Sequence, residues 1–172
     1  ADPSSIYPTL KAYLALKNPK ANTEYLNFWL KNYLNKQQII NTTKNSTEID
    51  VKNWPKTTTL DNTAILHAQT TLNHLPKPLL AYLILKGENV ETMDPFPDNF
   101  NKVFVYPTTS HLIPTIYTRD KLADIYFKQI PLKARLAFSG SAILGNGFFK
   151  EVNSIELANV IEQVRMFYLH DY

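Results

Sequence analysis

The four histidines are the side chains best suited to hold a metal or move a proton near neutral pH, and their spacing limits what they can do. His67 and His74 stand two helical turns apart and can face the same side, but no carboxylate accompanies them at ligand spacing. They read as ordinary surface or core histidines in preference to a metal pair. His111, in a proline-bounded segment, and His170, beside Asp171, make no stronger case. The chain has no cysteine, which excludes disulfides, thiolate-ligated zinc and cysteine nucleophiles. That absence suits a reducing cytosol and a bacterial periplasm equally. Ser139-Gly140-Ser141 is preceded by Ala137 and Phe138 and followed by Ala142, so it lacks the glycines of a nucleophile elbow. Gly145-Asn146-Gly147-Phe148-Phe149-Lys150 lacks the glycine spacing and the Lys-Ser/Thr pair of a phosphate loop. Carboxylate pairs for acid–base work carry no pattern that a single sequence can reveal. An enzyme therefore has no positive support, and no cofactor is expected.

Composition narrows the class further. A chain of 172 residues can bury a core without metals or disulfides. Its 18 basic and 15 acidic residues are scattered, which argues against nucleic-acid binding. The apolar runs fall short of the ~20 residues that span a bilayer. With only four glycines, tight glycine turns are scarce, and helices joined by Pro, Asn and Thr segments are favoured. Ten tyrosines admit two compatible readings, a helical core edged with tyrosine or a protein interface. Ala1 to Pro3 do not resemble a signal peptide and are set aside as an expression remnant.

The elements that would position these residues follow from periodicity. Ile6, Leu10, Tyr13 and Leu14 share a helical face, with Pro8 taken as a first-turn proline and the helix ending near Lys17. A second helix, capped by Asn22 or Thr23, runs through Tyr25, Leu26, Phe28, Trp29, Leu30, Tyr33 and Leu34, with Trp29 in the core. Residues 41–59 are polar and read as a long surface loop, with Asn41 and Asn45 in sequons that chance explains in so Asn- and Thr-rich a chain. Asp61 caps a third helix carrying Ala64, Ile65, Ala68, Leu72 and Leu75, which stops before Pro76. A fourth runs from Pro78, with Leu79, Leu80, Leu83 and Ile84 inward and Gly87 just past its end, joined too tightly to the third for the two to be independent. Residues 88–101 read as a loop, and Val103 to Tyr106 and Leu112 to Tyr117 as short strands. Thr118 caps a helix carrying Leu122, Ile125, Tyr126 and Ile130, which Pro131 ends or kinks. Residues 138–147 form a flexible connector or a small hairpin. Asn153 and Glu156 make a capping box for a last helix carrying Leu157, Val160, Ile161, Val164, Phe167 and Tyr168. The expectation is a mainly α fold with a few short strands or extended segments, over one domain of residues 4–172 or two subdomains of about 4–100 and 101–172.

Three stretches carry a resemblance. Leu10-Lys11-Ala12-Tyr13-Leu14-Ala15-Leu16, followed by Tyr25-Leu26-Asn27-Phe28-Trp29-Leu30, is the first. Ile113-Pro114-Thr115-Ile116-Tyr117-Thr118-Arg119 is the second, and Val164-Arg165-Met166-Phe167-Tyr168-Leu169-His170-Asp171-Tyr172 the third. In order and approximate spacing they resemble the extracytoplasmic part of the IcmF/TssM family of secretion-system inner-membrane proteins. An IcmF of a Dot/Icm type IV system fits better than a type VI TssM, since the Asn- and Lys-rich composition suits an AT-rich genome. Where the family pattern has Gly-Tyr soon after Thr-Arg, this chain has Asp120-Lys121-Leu122. The resemblance implies a periplasmic, non-catalytic scaffolding piece of a membrane-anchored protein, partnered by a DotU/TssL-type inner-membrane protein. It singles out Tyr13, Leu14, Trp29, Tyr117, Thr118, Arg119, Tyr168, Asp171 and Tyr172 as motif or interaction residues. A periplasmic hydrolase or small-ligand-binding domain is the alternative, motivated by the histidines and by residues 131–153.

Overall fold

The computed structural model of the chain describes residues 3–29, 59–89, 92–93, 113–145 and 152–172. It is mainly helical, with one two-stranded ribbon among the described residues. Packing divides the chain into two units, one of Ala1–Pro76 with Phe138–Glu151 and the other of Lys77–Ala137 with Val152–Tyr172.

In the first unit, α1 spans Pro3–Ala15 and buries Tyr7, Pro8, Leu10 and Ala12. Because the helix begins at Pro3, Pro8 lies inside it and not in its first turn. There its ring withholds the amide that would bond the carbonyl of Ser4. Helix α2, Thr23–Trp29, is reached through a turn in which side chains donate backwards. Asn22 Nδ2 donates to the Asn18 carbonyl at 2.8 Å and Thr23 Oγ1 to the Pro19 carbonyl at 2.8 Å. Both expected cap residues thus bond carbonyls behind them. Trp29 is half-buried, and residues 30–34 of the expected helix lie outside the described residues. Helix α3, Asn62–Asn73, starts as expected: Asp61 Oδ1 accepts from the amides of Thr63 at 2.9 Å and Ala64 at 3.2 Å. Such a cap is worth about 1 kcal/mol. The Asp61 amide in turn donates to Tyr13 Oη at 2.9 Å, which ties α1 to the start of α3.

The stretch after Ser139 is neither a free connector nor a hairpin. Gly140 and Gly145 take φ of 73° and 74°, and the Gly145 amide closes a turn onto the Ser141 carbonyl at 3.0 Å. Gln69 Nε2 donates to the Ile143 carbonyl at 3.0 Å and Asn73 Nδ2 to the Leu144 carbonyl at 2.9 Å, so α3 holds this turn by its backbone. Gly145 is required twice over, by its left-handed φ and because a Cβ would stand 2.6 Å from Gln69 Oε1.

In the second unit, α4, Lys77–Glu88, buries Leu80, Ala81, Tyr82, Leu83, Ile84 and Leu85 in succession, so it is enclosed on all sides. Gly87 is buried inside this helix and has no positive φ, contrary to its expected place beyond the end. Helices α3 and α4, expected to be inseparable, fall in different units. The ribbon pairs β1, Thr92–Met93, antiparallel with β2, Ile113–Pro114. Residues 92–93 therefore depart from the loop expected over 88–101, and the strand expected over 112–117 is two residues long before a 3-10 turn at Thr115–Tyr117. The strand expected over 103–106, both sequons, His111 and most of the 41–59 loop lie outside the described residues.

Helix α5, Arg119–Asp124, leads into a π turn, Ile125–Gln129, and then α6, Ile130–Ser139. The chain passes Pro131 without ending its helix, the proline falling directly after the π turn in the second position of α6. Lys133, almost fully buried, forms an ion pair with Glu88 that joins α6 to the end of α4. Helix α7, Ser154–Asp171, is capped by Asn153, whose Oδ1 accepts from the Ile155 amide at 2.9 Å. It packs against α4 and buries Val160, Val164 and Tyr168.

Candidate functional site

The second and third sequence motifs meet in the second unit. Helix α4 supplies Tyr82 and Lys86, the 3-10 turn supplies Tyr117, and the last turn of α7 supplies Tyr168 and Asp171. Tyr82 Oη donates to Asp171 Oδ2 at 2.5 Å, and the Tyr117 and Tyr82 hydroxyls are 2.9 Å apart. Each hydroxyl has one proton. With the Tyr82 proton on the carboxylate, Tyr117 donates to the Tyr82 oxygen, giving a relay from Tyr117 through Tyr82 to Asp171. Tyr117 Oη lies 3.3 Å from the same carboxylate oxygen, and Lys86 Nζ forms an ion pair with it at 3.2 Å. Lys86 also sits 5.3 Å from the centre of the Tyr82 ring. Beneath this polar knot, the fully buried Tyr168 donates from Oη to the Ile116 carbonyl at 2.7 Å. Its ring stacks on Tyr117 with centroids 5.8 Å apart, and Tyr172, half exposed, packs 6.0 Å from it.

The titration behaviour follows from these bonds. The Tyr82 hydrogen bond holds the Asp171 carboxyl down at about 2, helped by His170 and Lys86 against the opposing effect of burial. Burial, then the bond to Asp171, drives the Tyr82 phenol far above its ordinary value. Burial, with Tyr172 and Tyr117 nearby, lifts Tyr168 to about 12. Lys86 is raised as well: burial pulls it down, and Tyr117 and Asp171 together outweigh that. A general base works best with a pKa near the ambient pH, and an activated phenol needs a lowered one. Asp171 and Tyr82 are displaced in the opposite directions, and their bonds join α4, the 3-10 turn and α7.

The other motif residues take different places. Tyr13, Leu14 and Trp29 belong to the first unit and are half-buried, with Tyr13 engaged at Asp61. Thr118 is the N-cap residue of α5 in backbone conformation, φ −92° and ψ 151°, but its side chain accepts no cap bond. Its hydroxyl donates instead to the Thr115 carbonyl at 2.8 Å, closing the 3-10 turn. Arg119 is exposed and, among the described residues, makes no hydrogen bond or ion pair. His74 Nδ1 lies 2.7 Å from the Thr70 carbonyl, and His67 and His170 are exposed. No group of three His, Asp or Glu side chains among the described residues is placed to hold a metal. A groove of about 320 Å³ between α1 and α3 is lined by Ile6, Leu10, Tyr13, Ala64, Ile65 and Ala68 among others, with no histidine or carboxylate among the described residues of its wall. Sequence reasoning misses Tyr82 and Lys86. The one legible signal is a tyrosine set within the otherwise apolar run Leu79 to Leu85, because a buried phenol needs a partner.

Fold and cluster define a helical domain whose most distinctive polar side chains serve its own frame. The family model described as "IcmF-related: Intracellular multiplication and human macrophage-killing" matches residues 1–172, and the chain belongs to this family of secretion-system components. No curated protein and no solved structure matches it. Among the described residues no helix is long and apolar enough to cross a membrane.

Proposed function

We propose that the chain is a periplasmic scaffolding domain of an inner-membrane secretion-system component, one that helps assemble or stabilise an envelope-spanning complex. The observation that carries this reading is the division of labour in Tyr117-Thr118-Arg119. Tyr117 and Thr118 bond inward, and Arg119 points its cation outward at a helix N-terminus, where the macrodipole gives it nothing. An exposed arginine beside a rigid internal lock is suited to a carboxylate on a neighbouring protein. A DotU/TssL-type membrane protein is the partner proposed, and a Dot/Icm type IV system the setting, ahead of type VI.

The test places Arg119→Ala and Arg119→Glu in the full-length protein in its own bacterium. Secretion and crosslinking to the partner should fall while the melting temperature of the domain stays constant. Full secretion by Arg119→Glu would remove Arg119 from the interface, and crosslinks from this domain only to cytoplasmic proteins would remove the periplasmic assignment.

A further inference from the structure

The π turn between α5 and α6 leaves one backbone carbonyl without a partner in its own helix. The Ile130 amide bonds the carbonyl of Ile125, five residues back. In that register the carbonyl of Tyr126 should receive the amide of residue 131, which is Pro131 and has none. In an α register it would have received the Ile130 amide, which is already engaged. A helix carbonyl orphaned within a packed unit needs a donor from elsewhere.

The donor comes from α7. Arg165 Nη2 lies 3.5 Å from the Tyr126 carbonyl oxygen, and the guanidinium carbon stands 4.5 Å from the centre of the Tyr126 ring. Glu162, one turn earlier on α7, orients the group by accepting from Nη1 at 2.6 Å. At 3.5 Å the bond is long, so the positive charge on the donor matters more than ideal geometry. The side chain is four-fifths covered and its Nε is buried without an acceptor, which a solvent-directed arginine would avoid. The geometry points to Arg165 as a pin that substitutes for the amide Pro131 lacks and so holds the α5–α6 junction in its π form. This is a positioning role internal to the second unit, independent of the partner contact proposed for Arg119.

Pro131→Ala supplies the test. The substitution restores an amide at position 131, and the Tyr126 carbonyl is then satisfied either by that amide in a π register or by the Ile130 amide if the turn relaxes to α. In both cases Arg165 becomes redundant at that carbonyl. Arg165→Met keeps the stem and removes the donors, in the full 172-residue chain labelled for NMR. With Pro131 in place, Arg165→Met should shift the Tyr126 carbonyl carbon resonance upfield and speed exchange of the Gln129 and Ile130 amides about tenfold, the equivalent of one hydrogen bond to a charged donor. In the Pro131→Ala background the same substitution should change both readouts by less than about twofold. Loss of the ring contact to Tyr126 is common to both backgrounds and cancels. If Arg165→Met alone does not fold, the double variant should, and its folding is then the supporting result. Equal effects in the two backgrounds, no effect in either, or failure of the double variant to fold would each overturn the assignment.

Discussion

Replacing Asp171 by Asn sets two effects of opposite sign against each other, and their magnitudes decide the outcome. A carboxylate in the last turn of α7 is unfavourable against the negative end of the helix by about 0.3–1 kcal/mol, and Asp171→Asn relieves that. Against this, the carboxyl is lowered from 3.8 to about 2, which by linkage corresponds to about 2 kcal/mol of stabilisation as an upper bound. A third of the side chain is open to solvent, and screening cuts the figure to about 1 kcal/mol. The lowering comes from Tyr82, His170 and Lys86 against burial, and the helix-end relief offsets a few tenths of a kcal/mol of it. Asn retains an acceptor for Tyr82, so the charge-assisted part alone is lost, and Asp171→Asn should destabilise by about 1 kcal/mol at pH 7. The pH profile is the sharper test. The folded chain holds this proton less tightly than the unfolded chain, so the stabilisation is complete above about pH 4 and fades as pH falls towards 2. Urea titrations of the two proteins from pH 7 to pH 2 should show free energies about 1 kcal/mol apart at neutral pH that converge in acid. A constant gap across that range, or none at pH 7, would refute the reasoning that Asp171 acts through its charge.

Tyr168→Phe removes a buried donor to the Ile116 carbonyl and should lower stability by about 1–2 kcal/mol in denaturant melts with an unchanged slope. The phenol of the folded protein should resist ionisation until about pH 12, and stability should fall as pH rises from 10 towards 12; Tyr168→Phe should remove the component near 12 and lessen that fall, leaving the part due to the still more strongly raised Tyr82. Gly145→Ala forces an L residue to φ +74° against Gln69, and a loss of about 2 kcal/mol is expected, with part recovered when Gln69→Ala removes the clash; an unchanged melting temperature would contradict this account of the turn. Thr118→Ala should cost about 0.5–1 kcal/mol through the lost bond to Thr115, and hydrogen exchange should loosen at Thr115–Tyr117 before the first turn of α5.

Features written in contiguous residues are legible. Asp61 before an apolar-periodic stretch and Asn153 before Leu157 each announce a helix start, because an N-cap needs only a short acceptor two or three residues from the amides it satisfies. Thr118 shows the limit of that inference. Its backbone is a cap, but its hydroxyl finds a closer acceptor in the Thr115 carbonyl, and nothing local distinguishes the two outcomes. Pro8 and Pro131 both look like boundaries in sequence and both lie within helical runs, since tertiary packing can support a helix across a missing amide. The change of unit at Pro76 and again after Ala137 depends on which helices pack together, which is long-range information. For the same reason the sequence displays Tyr117 and Asp171 as members of two separate motifs and carries no sign that Tyr82 joins them.

The cluster also bears on what a family motif reports. Tyr117, Tyr168 and Asp171 stand out in sequence, and each is engaged within the fold: a hydroxyl relay, a buried bond to a carbonyl, a carboxylate held by Tyr82 and Lys86. A substitution at any of them acts first on stability, so loss of secretion in such a variant would not identify a contact surface. Arg119 has no such internal role among the described residues, and a surface substitution there should move stability by less than about 0.5 kcal/mol. Its effect in cells can therefore be read as an effect on association. The comparison that carries weight is Arg119→Ala beside Asp171→Asn in the same protein in cells: a secretion defect in the first at normal abundance, and in the second only in proportion to reduced abundance. A defect in Asp171→Asn at full abundance would move the contact onto the cluster itself and overturn the separation of frame from surface.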